Sequence, residues 1–311
     1  GRGRRLAPGP FFSSPLEEPP PESRLVTLEQ LCRFFQHPSR YLLQQRLSMR
    51  LEEPSAGKQD HEPFRLDGLE RYKMGQMLLA YRESGFDPAD QYDVLKAAGN
   101  LPLGTVGETT FQVLRMEVEN FADRVESEMQ AHRPRHRRVD LPIADFTIDG
   151  NLTELYPRGR IQFRFAPMKA GDILSAWIRH LCLGHSAEDR TPFHSTLVSR
   201  DVTWYMGPVE QPETHLDDLL KIYWQGLRAP LHFFPALSLD YFRQVFEKRR
   251  EPADVMPALR KKWTGDDFAK GELDDPYVRL CFEGLDPLDD TFRQLAERIF
   301  RPVFAALENY P

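Results

Sequence analysis

The stretch between residues 145 and 183 constrains the fold of this chain more than any other part of the sequence. Its first segment, Asp145–Tyr156, is followed by a turn at Pro157–Arg160. In the second segment, Ile161–Pro167, apolar side chains alternate with polar ones, which is typical of a half-buried strand. The residues that follow have apolar side chains at helical spacing, at Ile173, Ala176, Trp177 and Leu181. The stretch therefore predicts two strands followed by a helix.

Two strands and a helix in this order resemble the centre of the metal-dependent nuclease fold that carries the PD-(D/E)xK signature. Such a nuclease has one acid on the first strand, and an acid and a lysine two residues apart on the second. The predicted second strand, Ile161–Pro167, contains neither a carboxylate nor a lysine. The resemblance therefore implies an α+β chain with a degenerate, restriction-endonuclease-like core.

Alignment with the active pattern identifies the degenerate positions. The segment Gly150–Glu154 takes the place of the Gly-x-x-Asp motif, which puts Thr153 where the first acid would stand. The second acid then aligns with Arg164 or Phe165, and the lysine aligns with Ala166 or Pro167. The helical histidine of active relatives falls near Gln76. Two-metal hydrolysis of a phosphodiester needs anionic oxygen ligands and a positioned water. These residue types supply neither, so we predict no catalytic residue, no metal site and no other cofactor.

Three acids near the degenerate positions leave an active nuclease open as an alternative. Asp145, Asp149 and Glu154 all lie in the predicted hairpin, and the two aspartates would share one face of its first strand. Displaced carboxylates of this kind could bind a divalent metal ion. Turn formation and solvation of a strand end explain the same residues more simply, and we favour that interpretation.

The most basic part of the sequence after its first residues is His132–Arg138. It contains Arg133, Arg135, Arg137 and Arg138, and we predict a loop between a helix and a strand. Arginine side chains bind the DNA backbone without reading its sequence, so these four are candidate phosphate contacts. A loop that only improves solubility is an equally good explanation. Arg158 and Arg160, in the predicted hairpin turn, form a weaker second candidate.

The remainder of the chain is predicted to be mainly helical. Residues 1–26 are rich in Pro, Gly and Arg and should form a flexible tail or linker. Thr27 and Gln30 have the spacing of a capping box, which predicts a helix start. We expect a helical part at 27–135 and the nuclease-like core with C-terminal helices at 136–311, with loops at Glu52–Glu62 and Asp266–Asp290.

Composition narrows the classes of protein that this chain can belong to. The formal net charge of -6 argues against a uniformly basic nucleic-acid-binding protein, although a local basic groove is compatible with it. The three cysteines, Cys32, Cys182 and Cys281, are far apart and have no metal-binding spacing. No apolar run approaches the length of a membrane span. We therefore expect a cytoplasmic protein without membrane contact.

Four segments resemble the C-terminal region of the RecC family, the gamma subunits of exodeoxyribonuclease V. They occur in the order of that family and are Leu31–Leu47, Glu62–Tyr72, Ala97–Glu108 and Gly226–Leu231. The resemblance implies a place in a helicase–nuclease complex that processes double-stranded DNA ends for recombination. It implies RecB-like and RecD-like partner subunits, and contact with duplex ends and unwound single strands. The helicase-like regions that precede this part in the family do not occur in the sequence.

These observations predict a non-catalytic domain that handles DNA and holds partner subunits during double-strand break repair. Two other functions stay open at this point. One is an active nuclease that uses the displaced acids, and the other is a protein-interaction module that never contacts DNA.

Overall fold

The computed structural model describes residues 11–52, 68–186, 193–266 and 269–308. These residues form a mixed sheet with helices on both faces, so the predicted α+β class is confirmed. The loop predicted at Glu52–Glu62 lies, apart from its first residue, outside the described residues. Within the described ranges, no helix combines the length and the apolar character that crossing a bilayer requires.

In the described residues seven strands form the sheet, and the hairpin predicted from the sequence lies within it. In chain order they are β1 (Leu25–Thr27), β2 (Arg135–Ile143), β3 (Phe146–Tyr156), β4 (Gly159–Arg164), β5 (Ser195–Ser199), β6 (Thr203–Met206) and β7 (Leu307–Glu308). The strands pair in the order β1-β3-β4-β5-β6-β7, and β2 pairs with β3 in addition. The β1–β3 and β4–β5 pairs are parallel, and the other pairs are antiparallel.

Strand β3 pairs with three strands, with β2 along one edge and with β1 and β4 along the other. Leu155 pairs with Arg135 of β2 and with Arg160 of β4, so β2 and β4 lie on opposite edges. Asp149 pairs with Asp140 of β2 and with Thr27 of β1, so β1 shares an edge with β4. Strand β2 is therefore an outer strand of the sheet.

Eleven α-helices occur in the described residues. They are α1 (Leu28–Gln36), α2 (Pro38–Arg46), α3 (Gly68–Glu83), α4 (Tyr92–Ala97), α5 (Gly104–Met129), α6 (Ala170–His185), α7 (Pro212–Gly226), α8 (Pro235–Phe242), α9 (Pro252–Thr264), α10 (Pro276–Phe282) and α11 (Asp290–Ala305). Short 3-10 turns occur at Pro21–Arg24, Pro88–Gln91 and Glu272–Asp274, and a π turn, Arg243–Glu247, continues α8. The predicted capping box is confirmed, since Thr27 and Gln30 exchange backbone–side-chain hydrogen bonds of 2.8 and 3.1 Å.

The sheet is buried on both faces. Helices α3, α4 and α5 pack on one face, against Ile161, Phe165 and Val198. Helices α1, α6 and α7 pack on the other, where Ile148 and Leu197 contribute to a second core cluster. A third cluster is built from α8 to α11 together with one residue of α2. Hydrophobic burial on both sides of the sheet fixes its strands in place.

Three details differ from the sequence-based predictions. The acidic segment Asp266–Asp290 is not only a loop, because it contains α10, whose Tyr277, Val278, Cys281 and Phe282 are buried. The sequence also predicts a helix at Pro257–Trp263, but the corresponding helix, α9, begins at Pro252, and Pro257 lies inside it. The strand predicted at Ile161–Pro167 ends at Arg164. The division of the chain at residue 135 stays a prediction.

Candidate functional site

Strands β3 and β4 diverge immediately beyond the turn that joins them. They pair only through Leu155 with Arg160 and Tyr156 with Gly159. At the point of divergence Glu154 has a φ of 60°, a left-handed conformation that interrupts the regular strand. The space beyond is occupied by the start of α1: a Cβ added at Gly150 would lie 2.8 Å from the Leu28 Cβ. The chain therefore fills the opening between the two strands with its own N-terminal helix.

A buried ion pair joins the diverging strands. The Arg160 side chain is only 2% exposed, and its Nη2 donates to the Glu154 Oε2 at 2.7 Å. Burial lowers the pKa of Arg160 to about 10, although Glu154 opposes that shift. The Nε and Nη1 atoms of Arg160 have no hydrogen-bond partner among the described residues. Because the side chain is buried, the prediction that Arg160 contacts DNA is wrong.

More polar groups from α1 and α6 lie close to this ion pair. Arg179 of α6 donates to the Cys32 Sγ at 2.9 Å and lies 3.5 Å from Glu29 of α1. Burial raises the pKa of the Cys32 thiol to about 11, so the thiol is protonated and unreactive at neutral pH. These contacts hold α1 against α6.

Phe165, one of the two positions predicted to align with the second acid of an active nuclease, holds a buried aromatic ring. Phe165 follows β4, is 2% exposed and packs edge-on against Phe121 of α5, with the ring centroids 5.3 Å apart. Its ring also lies so close to Gly75 of α3 that an added Cβ would be 2.2 Å from Cε1. Gln76, aligned with the helical histidine, donates from Nε2 to the Phe165 carbonyl at 3.4 Å. The structure thus brings two of the degenerate positions together around an apolar centre.

The other degenerate positions carry no metal-binding chemistry. Thr153 is exposed on β3, and Pro167 is exposed in the connection after β4, while Ala166 beside it is buried. Arg164 contacts both carboxylate oxygens of Asp172 at 3.0 Å. An arginine so placed neutralises a carboxylate and does not attract a cation.

Each of the three displaced acids has an arginine partner. Asp145 lies 3.0 Å from Arg24, Asp149 lies 3.4 Å from Arg138, and Glu154 forms the buried pair described above. No group of three or more histidine, cysteine, aspartate or glutamate side chains in the described residues is arranged to hold a metal ion. The geometry therefore does not favour hydrolysis by displaced acids.

The basic segment forms a strand edge rather than the predicted loop. Residues 135–138 belong to β2, and all four arginines between positions 133 and 138 are exposed. Arg138 approaches Asp149, and the Arg137 Nη1 donates to the Ser186 carbonyl at 3.3 Å. Arg133 and Arg135 have no acidic partner among the described residues. Charged side chains on an outer strand also prevent its pairing with another chain.

The exposed turn between β3 and β4 carries Arg158 close to this basic edge. Its guanidinium lies against the side-chain amide of Gln130, the residue that follows α5. Leu155, near the same turn, pairs with Arg135 of β2. Arg158 and Arg135 therefore lie at the same end of the sheet.

A separate cleft of about 740 Å³ lies where α2, α6 and α8 begin. Basic side chains line it at Arg164, Lys169 and Arg243, and the carboxylates of Asp172, Asp240 and Glu272 line it as well. Asp172 is paired with Arg164, and Asp240 is paired with Lys262 at 2.6 Å. The balanced charge gives the cleft no preference for an anionic ligand.

Sequence reasoning missed the contacts of Arg24, which lies in the segment predicted as a flexible tail. Its guanidinium stacks over the rings of Trp224 and Phe146, 4.7 and 5.2 Å from their centroids, besides pairing with Asp145. These contacts anchor the turn between β2 and β3. No local pattern indicates them, because the partners are far apart in sequence.

Comparisons with known proteins give one consistent result. A family model described as RecC C-terminal domain matches residues 23–246. The protein described as RecBCD enzyme subunit RecC from Escherichia coli (strain K12) is 28% identical over 310 residues, an alignment that covers 94% of this chain and 27% of that protein. Proteins with the same description from Buchnera aphidicola subsp. Schizaphis graminum and Mycolicibacterium smegmatis are 21% and 26% identical, covering 85% and 74% of this chain and 25% and 21% of theirs. The chain thus spans about a quarter of the length of these relatives.

Proposed function

The chain belongs to the family of RecC C-terminal domains, and on that premise we propose that it is a non-catalytic domain that handles DNA and holds partner subunits in an exodeoxyribonuclease V complex. The observation that supports the absence of catalysis is the burial of Phe165, which is one of the two positions that we align with the second metal-binding acid. We propose that the domain acts in double-strand break repair by homologous recombination, in the cytoplasm.

We further propose that the sheet and α6 are a nuclease core that has lost its chemistry. The β3–β4 hairpin, α6 and the parallel strand β5 follow one another in the order expected for that fold. The contact between Gln76 and Phe165 supports the alignment, because it joins two positions that would both serve catalysis in an active relative. Hydrolysis with bound metal ions needs carboxylate ligands and an open site for water. A dry aromatic contact offers neither.

The proposed DNA contact is the edge of β2 together with the nearby turn. Arg133, Arg135, Arg137, Arg138 and Arg158 are all exposed there, and positive charge at one edge of a sheet suits a phosphate backbone. Arg160 is not part of this surface. Such contacts position a strand and supply affinity without reading sequence.

The proposed partners are a RecB-like and a RecD-like subunit. Three relatives are described as a subunit of the RecBCD enzyme, and we extend that assembly to this chain. The three buried, free cysteines suit a reducing compartment. We also keep the proposed division into a segment at 1–26, a helical part at 27–135 and the nuclease-like core at 136–311.

The test is binding and cleavage of forked DNA by the chain, with and without Mg²⁺, over a salt titration. We expect binding without cleavage. The variant R133A/R135A/R137A/R138A should reduce the slope of log Kd against log salt concentration by about 0.7–0.9 for each arginine that contacts a phosphate. A control variant removes four exposed bases elsewhere, at Lys248, Arg249, Arg250 and Lys270, and should leave more of the slope intact.

Three outcomes would contradict the proposal in different ways. Cleavage that requires Mg²⁺ and is abolished by D145A/D149A/E154A would establish an active nuclease with displaced acids. If the four-arginine variant and the control variant show equal slopes, β2 is not the DNA contact. Neither binding nor cleavage would indicate a protein-interaction module without DNA contact.

A further inference from the structure

The helical layer formed by α3, α4 and α5 exposes an unusual amount of apolar surface. Eleven large apolar side chains are exposed in the described residues, and eight of them lie between positions 69 and 116. These eight are Leu69, Met77, Phe86, Val94, Leu103, Val106, Val113 and Met116. Scattered apolar side chains are normal on a protein surface, whereas a cluster on one layer indicates an interaction site.

The long helix α5 shows most clearly that the layer has two apolar faces. Phe111, Leu114 and Val118 face the sheet and are fully buried. Val106 and Val113 are seven residues apart and therefore lie on one line along the helix, about 52% and 44% exposed. Met116, 56% exposed, is one turn beyond Val113. The core cluster under α5 does not include Val106, Val113 or Met116. Burial in the chain's own core therefore does not explain why these three residues are apolar.

The charge around the stripe restricts what can cover it. Residues 68–130 contain eleven acidic and six basic side chains, a net charge of -5 in a chain whose total is -6. Among the acids, Asp90, Asp93 and Glu108 are exposed and have no basic partner among the described residues. A surface of this sign repels the phosphate backbone of DNA. A second copy of the chain would oppose its acidic rim to an identical one, which disfavours a symmetric dimer.

We propose that the outer face of α3–α5, here called the α5 face, is the docking surface for a partner protein with an apolar centre and a basic rim. The proposal rests on the proposed function, because it takes the partner to be another subunit of the same complex. It assigns the two tasks of the domain to separate surfaces: the basic edge of β2 contacts DNA, and the acidic α5 face contacts protein.

The test uses the chain with the purified RecB-like and RecD-like subunits of the same organism as probes. The variant V106E/V113E/M116E removes the apolar stripe, and V106K/V113K/M116K removes it and also reverses the added charge. We expect both to raise the Kd for one subunit at least tenfold, and the lysine variant to raise it more, because lysine also repels a basic rim. The control L285E adds one charge at an exposed leucine outside the α5 face and should bind normally.

Folding is checked by the midpoint of thermal unfolding, since exposed positions should tolerate these changes. A second measurement places a photo-crosslinking residue at Val113 and asks whether either subunit is captured, so a poorly folded triple variant does not end the test. Crosslinks to a subunit support the proposal. Crosslinks only to another copy of the chain overturn it.

The readouts separate failure of this inference from failure of the proposed function. If the unchanged chain binds a subunit but both triple variants bind equally well, the α5 face is not the docking surface, although the proposed function stands. If the glutamate variant binds more weakly than the lysine variant, the basic rim is wrong. If the chain binds neither subunit, the docking proposal fails and the scaffold part of the proposed function fails with it, while forked-DNA binding reports on the remainder.

Discussion

The buried pair of Glu154 and Arg160 gives the sharpest prediction about stability, because its two members differ so much in exposure. Arg160 is 2% exposed and Glu154 is 35% exposed. Removing the carboxylate leaves a guanidinium buried without compensation. Removing the guanidinium leaves a carboxylate that water can reach. The two single changes should therefore have very different effects on the free energy of unfolding.

The expected magnitudes follow from the surroundings of each group. Breaking a buried ion pair by deleting one partner typically costs about 3–5 kcal/mol. Water reaches Glu154, so we expect about 3 kcal/mol for Glu154→Ala, the lower end of that range. Arg160→Met removes a buried charge whose Nε and Nη1 have no partner, and an apolar side chain of similar length should cost about 1 kcal/mol or less. Alanine and glutamate both carry a Cβ, so the left-handed strain at position 154 is unchanged.

Thermal unfolding of the unchanged chain, the two single variants and the double variant measures these differences. At roughly 2 °C per kcal/mol for a chain of this size, Glu154→Ala should lower the Tm by about 6 °C and Arg160→Met by about 2 °C or less. The double variant should resemble Arg160→Met, because no uncompensated charge remains. Equal losses for the two single variants, or additive losses in the double variant, would refute the reasoning.

Two further predictions concern helices that pack against the same sheet. His180 is fully buried, donates from Nε2 to the Gly207 carbonyl, and has a pKa lowered to about 4 by burial. The free energy of unfolding should therefore be highest above pH 6.5 and should fall by about 3 kcal/mol as the pH falls toward 4. His180→Gln should flatten this dependence in Tm measurements over that pH range. Gly75→Ala should lower the Tm, because its Cβ would overlap the packed Phe165 ring and reduce the free energy of unfolding by about 1–3 kcal/mol. The control Gly68→Ala should have little effect, because nothing lies within 4 Å of that position. A neutral Gly75→Ala variant would contradict the close packing at the degenerate site.

Local patterns predicted the centre of the fold well. The hairpin and the following helix are confirmed, and so is a strand that the sequence predicts at Thr203–Met206, which is β6. Each depends on alternation or helical spacing within a few residues. The buried positions of α10 also follow a helical pattern, but the surrounding acids led to the prediction of a loop. The spacing of these apolar residues alone predicts the helix.

The features that were missed depend on contacts between distant residues. Strand β1 is only three residues long and pairs with Thr147–Asp149, so nothing in its own sequence distinguishes it from a linker. Arg160 was assigned to an exposed turn because its burial requires α1 and α6 to cover it. At the candidate site, the sequence predicted the loss of the carboxylates. It did not predict that Phe165 would close the space, because that depends on how Gly75 of α3 packs.

The position of α1 between the strands has a consequence for synthesis of the chain. Phe34 and Phe35 of α1 are completely buried, and α6 is a principal partner of that helix. A ribosome that adds about 5–20 residues per second needs roughly 8–30 s to proceed from α1 to the end of α6. During that interval the apolar face of α1 lacks α6. We therefore expect the nascent chain to expose this apolar face until α6 emerges and docks.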